Sequence, residues 1–143
     1  MPKFRCSICE KYYEDGKPVF LKAHPFFCSL PCLIDFLRFK EVPPVEHERR
    51  NGHKPSFKSP YEERFSYFLK AAHIPYEHET RVVLLREELI YVPDFYLPNT
   101  GLFIELKGRL GPRGKKKISA FLDEHPDSLL YLDKQSLRRF HLI

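Results

Sequence analysis

The stretch Val92-Pro93-Asp94-Phe95-Tyr96-Leu97-Pro98-Asn99-Thr100-Gly101-Leu102-Phe103-Ile104-Glu105-Leu106-Lys107-Gly108 decides how this chain is read. Pro98-Asn99-Thr100-Gly101 is a turn signal: proline presets φ, asparagine bonds its own backbone, and glycine accepts left-handed torsions. The apolar and aromatic runs on either side, Leu89 to Leu97 and Leu102 to Lys107, read as two strands of a hairpin. Strand side chains alternate, so Phe103, Glu105 and Lys107 share one side, while Ile104 and Leu106 point to the other. The hairpin brings Asp94 near Glu105. Two carboxylates and an ammonium therefore gather at one end of a sheet. Two hard anionic oxygens suit Mg²⁺ or Mn²⁺, which keeps several waters and takes phosphate as a further ligand. Lys107 can orient or deprotonate an attacking water, or stabilise charge on the phosphate. The bland alternative is an ion pair on an exposed sheet face.

Working outward, Ser59-Pro60-Tyr61-Glu62 has the form of a helix start, with Ser59 as N-cap, Pro60 at the first helical position and Glu62 three residues after the cap. Tyr61, Phe65, Phe68, Leu69 and Ala72 follow at helical spacing, and the helix should stop before Pro75. Tyr76 to Leu85 reads as a strand, with a turn near Glu87 and Glu88. Downstream, Gly108 to Gly114 reads as a basic glycine-rich loop. Lys115 to Glu124 reads as a helix with Ile118, Phe121 and Leu122 inward, ended by His125-Pro126. Leu129 to Leu132 reads as a buried strand and Gln135 to Arg139 as a short last helix. The order helix, three strands, helix, strand, helix places this part in the α/β class.

All four cysteines fall early, at Cys6, Cys9, Cys28 and Cys32, in the spacing C-x2-C-x18-C-x3-C. Two close pairs separated by a spacer are what tetrahedral Zn²⁺ requires. Cys6-Ser7-Ile8-Cys9 reads as a knuckle turn. The second pair leads into a helix with Ser29 as N-cap and Leu33, Phe36 and Leu37 on its apolar face. The arrangement resembles a treble-clef finger. Four sulfur ligands leave no position for water, which makes the zinc structural; His24 is the rival ligand nearby. The expected organisation is a finger over residues 1–39, a linker over 40–58, and a second domain over 59–143. Val42-Pro43-Pro44-Val45 cannot be a helix interior, and the run that follows is charged and aperiodic. Arg49, Arg50, Lys54 and Lys58 in this segment are candidates for phosphate contact, and His47 and His53 read as solvated linker residues.

The chain carries 24 Lys and Arg against 19 Asp and Glu, a net charge of +5 that favours a polyanionic partner. No apolar run approaches the roughly 18 residues of a membrane helix. The first residues lack the apolar region of a secretory signal, so the expectation is a cytoplasmic protein of a bacterium or a phage-infected host, with no membrane partner.

Taken together, Pro93-Asp94 and Glu105-Leu106-Lys107-Gly108 match the pattern of the PD-(D/E)xK nucleases. More narrowly, the segment from Ser59 to Leu132 resembles the phage endonuclease I family of Holliday-junction resolvases. Ser59-Pro60-Tyr61-Glu62 is similar to that family's helix start with its catalytic glutamate, and Tyr76-Glu77-His78-Glu79 to its next acidic motif. Lys116-Lys117 and Glu124-His125-Pro126 are similar to its following helix. The resemblance implies a restriction-endonuclease-like core, a mixed sheet flanked by helices. It implies that Asp94 and Glu105 bind catalytic Mg²⁺, that Lys107 supports the nucleophilic water, and that Glu62 completes the site as a further ligand. Glu77 is the further catalytic candidate, with Glu79 on the same strand face, and either also fits an ordinary edge residue. The same Glu62 also fits a capping box closed on the Ser59 amide. Arg109, Arg113, Lys115, Lys116 and Lys117 follow the site directly and are the first candidates for DNA phosphate contact. The implied function is a Mg²⁺-dependent endonuclease selective for branched DNA and acting as a homodimer in DNA recombination. Two other readings stay open: a sequence-specific or nicking nuclease that uses the finger for recognition, and an inactive zinc-containing DNA-binding module.

Overall fold

Proline marks where three of the four α-helices among the described residues start. Pro31, Pro60 and Pro112 sit in the first turns of α1 (Leu30–Phe39), α2 (Pro60–Ala71) and α3 (Pro112–Glu124), where a missing N–H costs no helical hydrogen bond. The last helix, α4 (Lys134–Arg139), starts instead at Asp133, whose carboxylate accepts the Ser136 N–H at 2.9 Å. The computed structural model describes residues 3–14, 25–50, 56–107 and 111–142, and all that follows concerns these. His24, His53, Lys54 and Arg109 lie outside them.

Nine strands form three sheets. A finger hairpin pairs β1 (Lys3–Arg5) with β2 (Tyr12–Glu14). A second sheet holds β3 (Glu48–Arg49), β5 (Arg81–Leu84) and β6 (Ile90–Tyr91) in the order β3-β5-β6. The main sheet holds β4 (Glu77–His78), β7 (Phe95–Leu97), β8 (Leu102–Lys107) and β9 (Leu129–Asp133) in the order β4-β7-β8-β9. β7 and β8 form the antiparallel hairpin read from the sequence, with Phe95 opposite Ile104, and Gly101 at φ +80° closes its turn. β8 and β9 run parallel, so the connection must cross over, and α3 is that crossover.

β8 is buried on both faces. Ile104 and Leu106, with Phe95, Leu97, Leu130 and Leu132, belong to one core with Phe65 and Leu69 of α2 and Leu137 of α4. Phe103, Leu129 and Tyr131 belong to a second core with Ile118, Phe121 and Leu122 of α3 and with Val83 and Tyr91 of the smaller sheet.

Three sequence expectations need correction. The long strand expected from Tyr76 to Leu85 is broken at Glu79, whose φ of 50° is left-handed; β4 pairs in the main sheet and β5 in the smaller one. The strand expected from Leu89 to Leu97 is likewise two, β6 and β7, separated at Pro93, which has no N–H for a ladder. α3 begins at Pro112 rather than Lys115, so Arg113 lies in its first turn.

The described part of the expected linker is packed. Val45 is buried in the second core, the His47 ring lies 4.8 Å from that of Tyr96, and β3 pairs with β5 through Glu48 and Val82. The finger is not separate either. Cys6, Phe27, Cys32, Leu33 and Leu37 belong to the same core as Phe65, Leu69 and Ile104. Arg139 of α4 donates to the Phe27 carbonyl at 2.8 Å and lies over the Tyr13 ring, and Arg38 of α1 donates to the Ala72 carbonyl.

A shared core predicts shared unfolding. Thermal denaturation should show one transition, with far-UV circular dichroism and tyrosine signals coincident. Leu37→Ala in the finger helix should destabilise the whole chain by about 2–5 kcal/mol, as should Phe65→Ala in α2 by about 3–5 kcal/mol.

Candidate active site and metal centre

The four cysteines converge. Cys6 and Cys9 flank a turn in which the Glu10 N–H reaches the Cys6 carbonyl at 3.1 Å, and the Cys6 N–H reaches the Lys11 carbonyl at 2.9 Å. Cys28 precedes α1, and Cys32 sits in its first turn. Ser29 occupies the N-cap position with extended torsions, but its hydroxyl makes no capping bond and instead lies 3.6 Å from the Cys28 sulfur. The four Sγ atoms lie within 4.8 Å of one another, with Cys9–Cys28 at 3.6 Å and Cys28–Cys32 at 3.8 Å. Sulfurs about 2.3 Å from a common tetrahedral centre are about 3.8 Å apart, so the cluster fits a zinc ion. All four thiols are free and none is in a disulfide. Burial opposes ionisation of Cys6, but hydrogen bonds from the backbone of Cys9, Cys28 and Ile8 outweigh it and bring its pKa down to about 6. Burial pushes the Cys32 thiol up to about 12.

The second site is a cleft of about 410 Å³ between the two larger sheets and the start of α3, lined by Asp94, Glu105, Glu79, Tyr91, Lys58, Arg113 and Lys117 among others. Asp94 is 4% exposed and Glu105 3%, so these are not members of an exposed ion pair. Asp94 follows Pro93 at the start of β7, and its Oδ2 accepts the Leu106 N–H of β8 at 2.8 Å. That bond ties the first carboxylate to the strand carrying the second. Glu105 accepts from the Tyr91 hydroxyl at 2.7 Å. Burial, reinforced by the Glu105 charge, raises the Tyr91 pKa well above 10, so the phenol stays a donor. Lys107 ends β8 opposite Asp133; its side chain lies outside the described residues.

The acidic motif on β4 divides in an unexpected way. Glu77, expected at the site, turns away from it. Its carboxylate is bound by Arg81 at 2.9 and 3.0 Å, by Thr80 at 2.6 Å and by Arg49 at 3.4 Å. Glu79 lines the cleft instead. The left-handed turn at Glu79 reverses the alternation that would have carried it to the Glu77 side, and its N–H donates to the Asp94 carbonyl at 2.9 Å. Lys58 Nζ lies 2.9 Å from Glu79 Oε1. The bond to Glu79 raises the Lys58 pKa against the effect of burial, helped by the charges of Glu79, Asp94 and Glu62.

Glu62 is buried and near the cleft, but it does not close a capping box on Ser59. Ser59 Oγ accepts the Glu62 N–H at 3.3 Å, while the Glu62 carboxylate accepts the Lys58 N–H at 3.0 Å and lies 3.4 Å from His78 Nε2. Glu63, the neighbour, is exposed and accepts from Tyr67.

The basic candidates also divide. Arg113 and Lys117 line the cleft, while Lys115 and Lys116 are exposed, with Lys116 Nζ 3.6 Å from Glu87. Arg49 and Arg50 brace the β4–β5 bend, Arg49 on Glu77 and Arg50 on the Glu79 carbonyl at 3.3 Å. Sequence reasoning therefore missed Tyr91, chose Glu77 over Glu79, and had Lys58 only as a candidate for phosphate contact. The acid two residues beyond Glu77 was visible, but the torsion that turns it inward was not.

The cleft offers hard oxygen donors from Asp94, Glu105 and Glu79, a donor set suited to Mg²⁺. Among the described residues, the four sulfurs are the one group of metal-ligating side chains drawn that closely together. No family model, curated protein or solved structure matches the chain. No helix among the described residues is long and apolar enough to cross a membrane.

Two measurements follow. Elemental analysis should find about one zinc per chain, lost together with the folded state in Cys32→Ser. For Glu77, the hydrogen bond from Arg81 holds the carboxyl below its ordinary 4.5, against burial. A depressed folded pKa contributes stability above pH 4.5 that disappears as pH falls through the folded value. Glu77→Gln should thus lower Tm at pH 7 and flatten the decline of Tm below pH 4.5.

Proposed function

We propose that the protein is a metal-dependent DNA endonuclease of the PD-(D/E)xK type that hydrolyses phosphodiester bonds, with branched DNA as its preferred substrate. The observation that carries this reading is the pair of buried carboxylates, Asp94 and Glu105, held on adjacent strands at a cleft whose rim carries Arg113, Lys117 and Lys58. Buried acids facing a cationic rim suit a phosphate brought in with a divalent cation. The order of elements from α2 to β9, with the antiparallel β7–β8 pair and a parallel β9 reached through α3, agrees with the core that the sequence resemblance implies.

In this reading Asp94 and Glu105 would hold the ion, and Glu79 and Glu62 would add negative charge nearby. A bound Mg²⁺ would supply a Lewis acid for the phosphoryl oxygen and acidify a coordinated water. Lys107 would orient the attacking water, the role that the sequence resemblance implies. The start of α3 receives the phosphate. Its N-cap is Gly111, no side chain among the described residues caps it, and its first turn has no acidic residue, so its N–H groups and positive dipole end would favour an anion beside Arg113.

A second reading is a site-specific nuclease guided by the finger. It is favoured by the common core of finger and α/β unit, which fixes the finger relative to the cleft. The two readings differ in assembly and substrate. A resolvase needs two cleft sites in fixed relation, most simply in a two-fold dimer.

Matched linear, nicked, Y-shaped and four-way DNAs incubated with Mg²⁺ test the reading. Cleavage should favour the four-way junction, and Asp94→Asn or Glu105→Gln should reduce it by at least about 10³-fold while DNA binding persists, since each removes charge from the ion that stabilises the transition state. Glu79→Gln should impair cleavage more than Glu77→Gln does. A wild-type chain that cuts none of the four DNAs would end the nuclease reading. Cutting of one linear sequence by a monomer would favour the second.

A further inference from the structure

We propose that Tyr91 is a positioning residue for Glu105: its phenol fixes the plane of that carboxylate so that Glu105 presents to a divalent cation in the cleft. The inference rests on the nuclease reading of the cleft and names a residue that the motif pattern does not contain. The Tyr91 hydroxyl donates to Glu105 Oε1 at 2.7 Å, and both side chains are buried and line the cleft. Tyr91 comes from β6, which pairs with β5 in the smaller sheet, whereas Glu105 lies on β8 of the main sheet. The bond therefore joins the two sheets across the cleft wall. The ring is itself held in place, packed edge-on against Phe121 of α3 with centroids 5.6 Å apart.

The choice of donor matters. A carboxylate held at one oxygen loses rotation about its last bond, which sets the direction in which the rest of the group faces. A lysine or arginine in this place would also orient it, but would neutralise the charge that a cation needs. A phenol orients it and leaves the charge intact. Donors of this kind behind a ligating carboxylate typically contribute about 10–100-fold in metal affinity or activity.

Tyr91→Phe removes the hydroxyl and keeps the ring contact with Phe121, and circular dichroism checks that the fold is retained. Two quantities are then read: the Mg²⁺ concentration that half-saturates DNA cleavage, and Mn²⁺ affinity by calorimetry without DNA. The half-saturating Mg²⁺ concentration should rise by about 10-fold or more, with cleavage at saturating Mg²⁺ largely retained, and Mn²⁺ affinity should fall in parallel. In a Glu105→Gln background the same substitution should have no further effect on Mn²⁺ affinity, because Tyr91 acts through Glu105. A purely structural role would lower Tm and leave both metal readouts unchanged. Unchanged readouts in folded Tyr91→Phe, or an equal further loss in the Glu105→Gln background, overturn the proposal while the nuclease reading stands. A wild-type chain that neither binds Mn²⁺ nor cuts DNA removes the reading itself.

Discussion

The burial of β8 on both faces is the constraint on which the rest of the structure depends. A central strand covered by α2 and α4 on one side and by α3 on the other has no solvent-facing position for a charge. Glu105 is nevertheless there, 3% exposed. A buried carboxylate is expensive unless it is hydrogen-bonded or paired. The neighbouring elements are arranged accordingly: β6 delivers the Tyr91 hydroxyl to Glu105, and the turn into β7 sets Asp94 against the Leu106 amide. The cleft lies where the two sheets and the start of α3 fail to close over these groups. A fold seeking stability alone would place a valine at position 105; retaining a carboxylate there makes sense if charge is needed in the cleft.

Most of the framework was legible in the sequence, because it rests on local signals. Ser29 placed the start of α1, Ser59 and Pro60 that of α2, the Pro98–Gly101 turn placed the β7–β8 hairpin, and alternation assigned Ile104 and Leu106 to one face and Glu105 to the other. The cysteine spacing anticipated the sulfur cluster. What was not legible depends on single torsions and long-range pairing. Periodicity makes Tyr76 to Leu85 one strand with Glu77 and Glu79 on the same face. One left-handed residue, Glu79, divides it between two sheets and sends the two acids in different directions. The charged segment after Pro44 looked like a linker because a two-residue strand such as β3 leaves almost no periodic trace. Tyr91 was hidden for a similar reason: an aromatic residue in an apolar run reads as core, and the partner of its hydroxyl lies on another sheet.

The bend at Glu79 shows how local strain is offset. A left-handed glutamate is disfavoured relative to an extended one. Here the bend is clamped on both sides: Arg81 and Arg49 hold Glu77 outward, Arg50 holds the Glu79 carbonyl, the Glu79 N–H bonds to Asp94, and Lys58 holds its carboxylate inward. Arg49 and Arg50, candidates for phosphate contact on the sequence, act in the structure as braces that keep one acid out of the cleft and its near neighbour in. Lys58 has a double role of the same kind. Its N–H holds Glu62 and its ammonium holds Glu79, so one residue ahead of α2 links two of the four buried acids around the cleft.

The finger and the cleft are joined by the same reasoning. Had the sulfur cluster been a tethered recognition module, its helix would need an apolar face only for itself. Leu33 and Leu37 instead complete the core beneath the main sheet, and Arg139 of the last helix reaches back to the Phe27 carbonyl between the two cysteine pairs. A metal ion bound at the cysteines would therefore share one folding equilibrium with the packing beneath β8, each stabilising the other. Loss of the ion would reach the cleft through α1 and the core it shares with α2, without any ligand passing between the two sites.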